Sequence, residues 1–168
     1  MARAKVVLTL GDDISTDIIY PGRFMATVLP TETPQFAFAD HVEFNGRLKA
    51  GQIPKGSIVV AGANFGCGSS REQAASCLKG HDLTVIARNV ARIFLQNAIN
   101  LGFAIVICPT IEAAEGDELE VRADTVVNHT SGRPFPVQPL PKARQAIIDA
   151  GGLIPYTRRL MLERAAAR

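Results

Sequence analysis

The chain has no tryptophan and only two tyrosines among 168 residues, so it lacks the aromatic platforms on which single-stranded nucleic acid stacks. It also lacks a dominant charge: eighteen Lys and Arg stand against sixteen Asp and Glu, a net charge of +2. A polyanion-binding surface needs a basic excess, so neither nucleic acid nor an anionic membrane is expected as a partner. No C-x-x-C occurs. Cys67, Cys77 and Cys108 are separated by nine and thirty residues, which gives no disulfide framework, zinc site or ferredoxin-like cluster site. Unpaired thiols point to a reducing, cytoplasmic setting. The N-terminal Met-Ala-Arg-Ala-Lys runs straight into Val-Val-Leu-Thr-Leu, without the apolar stretch and cleavage site of a secretory signal. Residues 93–111 carry no charge and have the length of a bilayer span. Gln96, Asn97, Asn100, Gly102 and Pro109 interrupt them, and the stretch reads as helix, turn, buried strand and stop. Asn128-His129-Thr130 matches a glycosylation sequon, which has no consequence without a secretory route.

What remains is ordinary globular material, 47% hydrophobic and 20% charged, enough for one compact domain over 1–168. No repeat, low-complexity run or linker divides it. Residues 5–10 predict a strand, 11–34 a long and largely irregular loop, and 35–41 a short helix. Continuous apolar runs at 57–61, 83–87 and 104–107 predict buried strands. Helical spacing at 71–78 and 90–101 places a helix between each pair, closed by Gly80 and Gly102. Strand, helix, strand, helix, strand implies parallel pairing with right-handed crossovers. Short strands at 118–122, 124–129 and 133–138 and a helix at 142–150 follow. The expected fold class is α/β, a mainly parallel sheet with an added β portion. Arg158 to Arg164 reads as a solvated amphipathic helix. His41, His81 and His129 have no ligand spacing and suit surface or helix-end positions.

The segment richest in chemistry is Gly66-Cys67-Gly68-Ser69-Ser70-Arg71-Glu72, between a buried strand and a helix. Glycines let the backbone approach a ligand, and a helix start presents free N–H groups and the positive end of its dipole. Arg71 adds a fork suited to carboxylate or phosphate. No Gly-Lys-Ser/Thr follows, so this is not a Walker loop, and G-x-S-x-G is absent, so it is not a nucleophile elbow. Two readings stay open on local grounds: an anion-binding loop, or a tight turn in which Ser69 or Ser70 caps the helix. A second constellation lies in Gly11-Asp-Asp-Ile-Ser-Thr-Asp17-Ile-Ile-Tyr-Pro-Gly-Arg23. It is either a polar site or a solvated loop in which Asp17 caps a turn and Arg23 is an exposed charge.

Taken together, these segments resemble the small subunits of the aconitase-like hydro-lyases, in particular the short, archaeal-type isopropylmalate dehydratase family. The similarity covers 11–23, 61–80 and the region Val85-Ile-Ala-Arg-x-x-Ala-Arg-Ile-Phe94…Asn97-x-x-Asn100-x-Gly102. It implies the swivelling β/β/α fold of the aconitase C-terminal type. It also implies a separate large subunit that carries a [4Fe–4S] cluster, with no cofactor or metal bound by this chain. The implied reaction converts 2-isopropylmalate to 3-isopropylmalate in leucine biosynthesis, by dehydration and rehydration of a hydroxy-dicarboxylate through an alkene. In that likeness Ser69 is the general base and Asp17 helps organise proton transfer. Ser70, Arg71 and Arg23 bind substrate carboxylates. A serine hydroxyl is a weak base unless its alkoxide is stabilised, and a helix N-terminus beside Arg71 suits that need. The iron would act as Lewis acid on the departing hydroxide. Cys77 and Cys108 read as small buried apolar residues.

After Arg23 the family usually carries Tyr-Leu and a pair that discriminates substrates, whereas this chain reads Phe24-Met25-Ala26-Thr27. The absence of Arg there argues against a tricarboxylic substrate, and the apolar character favours an alkyl-substituted malate. Two alternatives accompany this reading. One is the small subunit of a related dehydratase acting on dimethylmalate, homocitrate or homoaconitate. The other is a non-catalytic swivel-fold binding module.

Overall fold

Residues 3–166 are described by a computed structural model. Two of its strands, β2 (Ile58–Ala61) and β3 (Thr84–Ala87), are buried along their whole length, as continuous β-branched runs require. They pair in parallel, Val59 facing Val85 and Ala61 facing Ala87. β1 (Arg3–Thr9) lies on the other side of β2, and β4 (Ile105–Ile107) lies beyond β3, again in parallel. Three antiparallel strands, β5 (Glu118–Val121), β6 (Thr125–Asn128) and β7 (Arg133–Pro136), extend the sheet to the order β4-β3-β2-β1-β5-β6-β7.

β1 belongs to both halves. Arg3, Ala4 and Lys5 pair with Glu120, Leu119 and Glu118 of β5, while Val6, Leu8 and Thr9 pair with β2. The register slips between Val6 and Leu8, an irregularity that bends a strand from one partner set to the next. The far ends of the order then meet: the Gln138 N–H donates to the Ile107 carbonyl at 2.8 Å, and Cys108 Sγ donates to the Pro136 carbonyl at 3.3 Å.

Alternation along the strands divides the core in two. Val7, Val59, Ala61, Val85 and Ala87 face a layer built from α2 (Val42–Lys49), α3 (Glu72–Gly80) and α4 (Arg92–Leu101), where Phe44, Leu48, Leu78 and Phe94 fill the space. Val6, Ile58, Val60 and Ile86 face the other way, onto Leu119, Val121, Val126 and Phe135 of the antiparallel strands. The result is a layer of helices, a parallel sheet and an antiparallel sheet, the β/β/α arrangement expected. α1 (Thr16–Ile19) precedes this layer, and α5 (Lys142–Asp149) and α6 (Leu153–Ala166) follow it on the surface with no fully buried side chain. Among the described residues no helix is long and apolar enough to cross a membrane.

The segment 35–41 departs from expectation. It is not an α-helix: a 3₁₀ turn, Thr33–Phe36, carries Pro34 in its first turn, and Phe38 then takes a left-handed conformation at φ 50° with its ring fully buried. The helix comes one step later, as α2, with His41 at its N-cap accepting the Phe44 N–H on Nδ1 at 3.3 Å. His81 ends α3, and its Nε2 donates to the Pro34 carbonyl at 2.8 Å. The sequon residue Asn128 is buried; it donates to Asp117 at 2.8 Å and accepts the Thr130 and Ser131 N–H groups at 2.9 and 3.1 Å.

Candidate active site

β1 and β2 are adjacent and parallel, so the loops leaving their C-terminal ends run side by side. Backbone bonds continue between them past the sheet: Leu10 N to Val60 O at 2.8 Å, Asp13 N to Ala63 O at 2.9 Å, Gly66 N to Ile14 O at 2.7 Å and Thr16 N to Cys67 O at 2.8 Å. The two polar segments of the sequence thus become one surface. Gly66 is indispensable to the turn. It sits at φ +79°, and a Cβ there would lie 2.3 Å from Phe94 Cγ. Phe94 in turn meets Phe65 edge to face at 5.2 Å. Gly68 is also left-handed, at φ +93°.

This surface exposes Ser69 and Ser70 just ahead of α3. Neither serine caps the helix, because Arg71 holds the N-cap position and no side chain bonds the first turn. The capping alternative is therefore removed for both. Ser69 Oγ lies 3.2 Å from Thr16 Oγ1, and the Thr16 hydroxyl also lies 3.2 Å from the Ser69 carbonyl. Ser70 Oγ has no partner among the described residues. The Ser70 carbonyl accepts Asn97 Nδ2 at a long 3.5 Å.

Arg71 folds inward, its side chain 13% exposed, and ion-pairs through Nη1 with Asp17 Oδ1. The same nitrogen donates to the Tyr20 carbonyl at 3.4 Å, while the buried Nε has no partner. Asp17 is 60% exposed and accepts the Gly22 N–H at 3.3 Å. The hydrogen bond from Arg71, more than any other influence, holds the Asp17 carboxyl below its ordinary range. Ser15, not Asp17, caps α1 by accepting the Ile18 N–H at 3.3 Å.

Arg23 lies apart from this group. Its guanidinium ion-pairs with Asp40, one of the two bonds measuring 3.2 Å, and covers the Phe24 ring at 4.6 Å. Phe24 stacks on Phe36 with centroids 4.1 Å apart. No bond joins Arg23 to Ser69, Ser70 or Arg71 among the described residues. Along Phe24-Met25-Ala26-Thr27, Met25 and Ala26 face solvent while Phe24 and Thr27 are half-buried. The fully buried Tyr20 reaches this loop, its hydroxyl 3.1 Å from the Phe24 carbonyl and 3.2 Å from that of Thr27.

Sequence reasoning missed Thr16 and Tyr20. Thr16 reads as one more polar loop residue, and Tyr20 as an aromatic before a turn. Only the adjacency of the two loops gives either a role.

The thiols do not converge. Cys77 is in the core beneath the helices and Cys108 in the core on the opposite face of the sheet, while Cys67 is half-buried in the loop. Burial pushes the Cys77 thiol far above its ordinary pKa and that of Cys108 up to about 11. Among the described residues no three His, Cys, Asp or Glu side chains are grouped to hold a metal ion. The donor set fits no iron–sulfur cluster.

Two hydroxyls, a guanidinium and an uncapped helix start thus lie together at the ends of β1 and β2. Comparison with known proteins identifies the family. The aconitase C-terminal domain family matches residues 14–108. A 3-isopropylmalate dehydratase small subunit of Methanosarcina mazei is 45% identical over 159 residues, covering 92% of this chain and 95% of that one. An isopropylmalate/citramalate isomerase small subunit of Methanocaldococcus jannaschii is 41% identical over 163 residues, 94% of each chain. A crystal structure described as 3-isopropylmalate dehydratase from Methanocaldococcus jannaschii superimposes with a TM-score of 0.89 at 33% identity, covering 99% of this chain and 98% of that one. The chain belongs to the aconitase C-terminal domain family and, within it, to the 3-isopropylmalate dehydratase small subunits.

Proposed function

We propose that this chain, acting as one domain over 1–168, is the small subunit of a hydro-lyase that isomerises 2-isopropylmalate to 3-isopropylmalate, a step of leucine biosynthesis. The observation that carries the reading is the meeting of the two loops, which sets Ser69 against Thr16 and Arg71 against Asp17. Ser69 takes the proton from the carbon next to a carboxylate. The Arg71 guanidinium, held at the site by Asp17, and the unspent hydroxyl of Ser70 bind that carboxylate. Asp17 keeps Arg71 in place and orders the charges around the transfer. Arg23 serves the second carboxylate, exchanging it for Asp40. Met25 and Ala26, apolar and exposed, line the side of the substrate that carries the alkyl group.

Because Ser69 and Ser70 are exposed, this half of the site needs a second surface to exclude water. That surface belongs to a large subunit bearing the [4Fe–4S] cluster, whose iron supplies Lewis acidity to the departing hydroxide. The compartment is the cytoplasm, in keeping with three free cysteines.

The test is anaerobic reconstitution. The chain is mixed with a cluster-loaded large subunit, and alkene formation is followed from 2-isopropylmalate, citramalate, dimethylmalate and homocitrate. Turnover only in the mixture, fastest with isopropylmalate, is the expected result. Ser69→Ala should lower kcat about 10²- to 10⁴-fold, the usual worth of a positioned base. Near-normal turnover in that variant would remove Ser69 as the base.

A further inference from the structure

We propose that Thr16 is a positioning residue for Ser69, orienting its hydroxyl in the resting state and donating a hydrogen bond to it when it is deprotonated. This deepens the function proposed above and rests on Ser69 being the base.

One proton decides the arrangement. Thr16 is 1% exposed, and its hydroxyl faces two Ser69 atoms, the carbonyl oxygen and Oγ, each at 3.2 Å. A carbonyl only accepts, whereas a hydroxyl donates once and accepts as well. When Ser69 is neutral, both contacts are satisfied in one way: Thr16 donates to the carbonyl, and the Ser69 hydroxyl donates to Thr16 Oγ1. The Ser69 proton is then turned inward, and its lone pairs face the exposed side where substrate must lie. Once Ser69 has given its proton to water at the exposed face, it is an alkoxide and its Oγ can only accept. The Thr16 proton then swings from the carbonyl to Oγ by rotation about one C–O bond. The equal distances mean that no heavy atom has to move.

Thr16 is fixed for this task. Its N–H donates to the Cys67 carbonyl and its own carbonyl accepts the Tyr20 N–H, both at 2.8 Å, and β-branching stiffens its side chain. It is buried where Ser69 is exposed, so its donor does not compete with water. Arg71 does not replace it, since its guanidinium turns to Asp17 and the Tyr20 carbonyl and no bond joins it to Ser69 among the described residues.

The experiment uses the reconstituted two-subunit enzyme with Thr16→Val, Thr16→Ser and Thr16→Ala, and Ser69→Ala in parallel. Thr16→Val keeps the shape and removes the hydroxyl. Serine and alanine both lack the methyl and differ only in the hydroxyl, so their comparison isolates it even if the valine variant does not fold. With one hydrogen bond to a charged oxygen lost, kcat in Thr16→Val and Thr16→Ala should fall about 10- to 100-fold. KM should stay within about twofold, since Thr16 touches the base rather than the substrate. The pH at which kcat rises should move upward, because the alkoxide has lost a donor. Thr16→Ser should keep the wild-type pH profile and kcat within about threefold. Equal kcat in the serine and alanine variants, or a drop in both with an unmoved pH profile, would overturn the proposal by reducing Thr16 to packing. Full activity in Ser69→Ala would overturn it together with the function it rests on. A dead Ser69→Ala beside a normal Thr16→Val would overturn this proposal alone.

Discussion

In the antiparallel strands the polar side chains close on their neighbours. Glu120 holds Arg122 at 2.9 Å and His129 at 2.8 Å, Asp117 holds Asn128, and Arg133 pairs with Glu112. At the ends of β1 and β2 the same kinds of groups are left partly open: Ser70 Oγ and Arg71 Nε find no partner among the described residues, and the Ser69 hydroxyl meets Thr16 alone there. Buried donors are normally satisfied, and a carboxylate or a guanidinium is satisfied easily at a surface. Polarity alone therefore does not mark the site. The difference lies in what is withheld from local bonding, at a place where Gly66 packs tightly on Phe94.

Exchanging equivalent residues between the two regions tests that contrast. Gly66→Ala should have the largest effect, since it adds left-handed strain to a 2.3 Å clash with Phe94. A loss of about 3–5 kcal/mol in thermal or denaturant unfolding is expected, near the whole stability of many domains. Gly132→Ala has a comparable φ of +72° but nothing within 4 Å, and should cost only about 1 kcal/mol. Similar losses in the two variants would break the comparison.

Arg71→Ala comes next. Removing the fork should lower kcat/KM about 10- to 100-fold in the reconstituted enzyme and leave Asp17 to titrate nearer its ordinary range. An unchanged kcat/KM would mean that Arg71 only braces the loop. Asn128→Ala in the β6–β7 turn should do the reverse. It removes a buried amide serving three partners, at a cost of about 1–3 kcal/mol in stability, while turnover per folded molecule stays the same.

The smallest effect belongs to Glu120. Hydrogen bonds from Arg122 first and His129 second bring its carboxyl down to about 2 from 4.5. A depressed folded-state pKa means stability that is present above pH 4.5 and lost as pH falls toward 2. Glu120→Gln should flatten that part of the acid-unfolding curve and leave the activity profile at neutral pH untouched. Any change in kcat would show that the antiparallel strands reach the site after all.

Much of this was legible in the sequence because burial on both faces leaves an uninterrupted apolar signature, as at Ile58–Ala61 and Thr84–Ala87. The Gly-Cys-Gly-Ser-Ser-Arg-Glu loop was legible as glycines ahead of a helix start, whereas the absence of a serine cap came only from the fold. No element was expected over α2, whose Asn45-Gly46 has weak helix propensity. In the fold Asn45 reaches back to the carbonyls of Gln35 and Ala37, at 3.1 and 2.7 Å. Phe38 misled in the opposite way, since a buried aromatic at positive φ is set by packing and not by local preference. Thr16 was invisible for a third reason. Its partner lies 53 positions further along the chain, and no periodicity connects them.

The bridge between Gln138 and Ile107 has a consequence beyond architecture. A sheet whose outermost strands meet shows little unpaired backbone on which another chain can add a strand. A half-enzyme is made before it is assembled, and while it waits it carries bare apolar side chains such as Met25, Val28 and Leu29. With its sheet edges joined at Gln138 and Ile107, those side chains are left to a surface that fits them. Stacking strand upon strand into an aggregate, the commonest wrong ending for an exposed β-edge, has almost no place to begin.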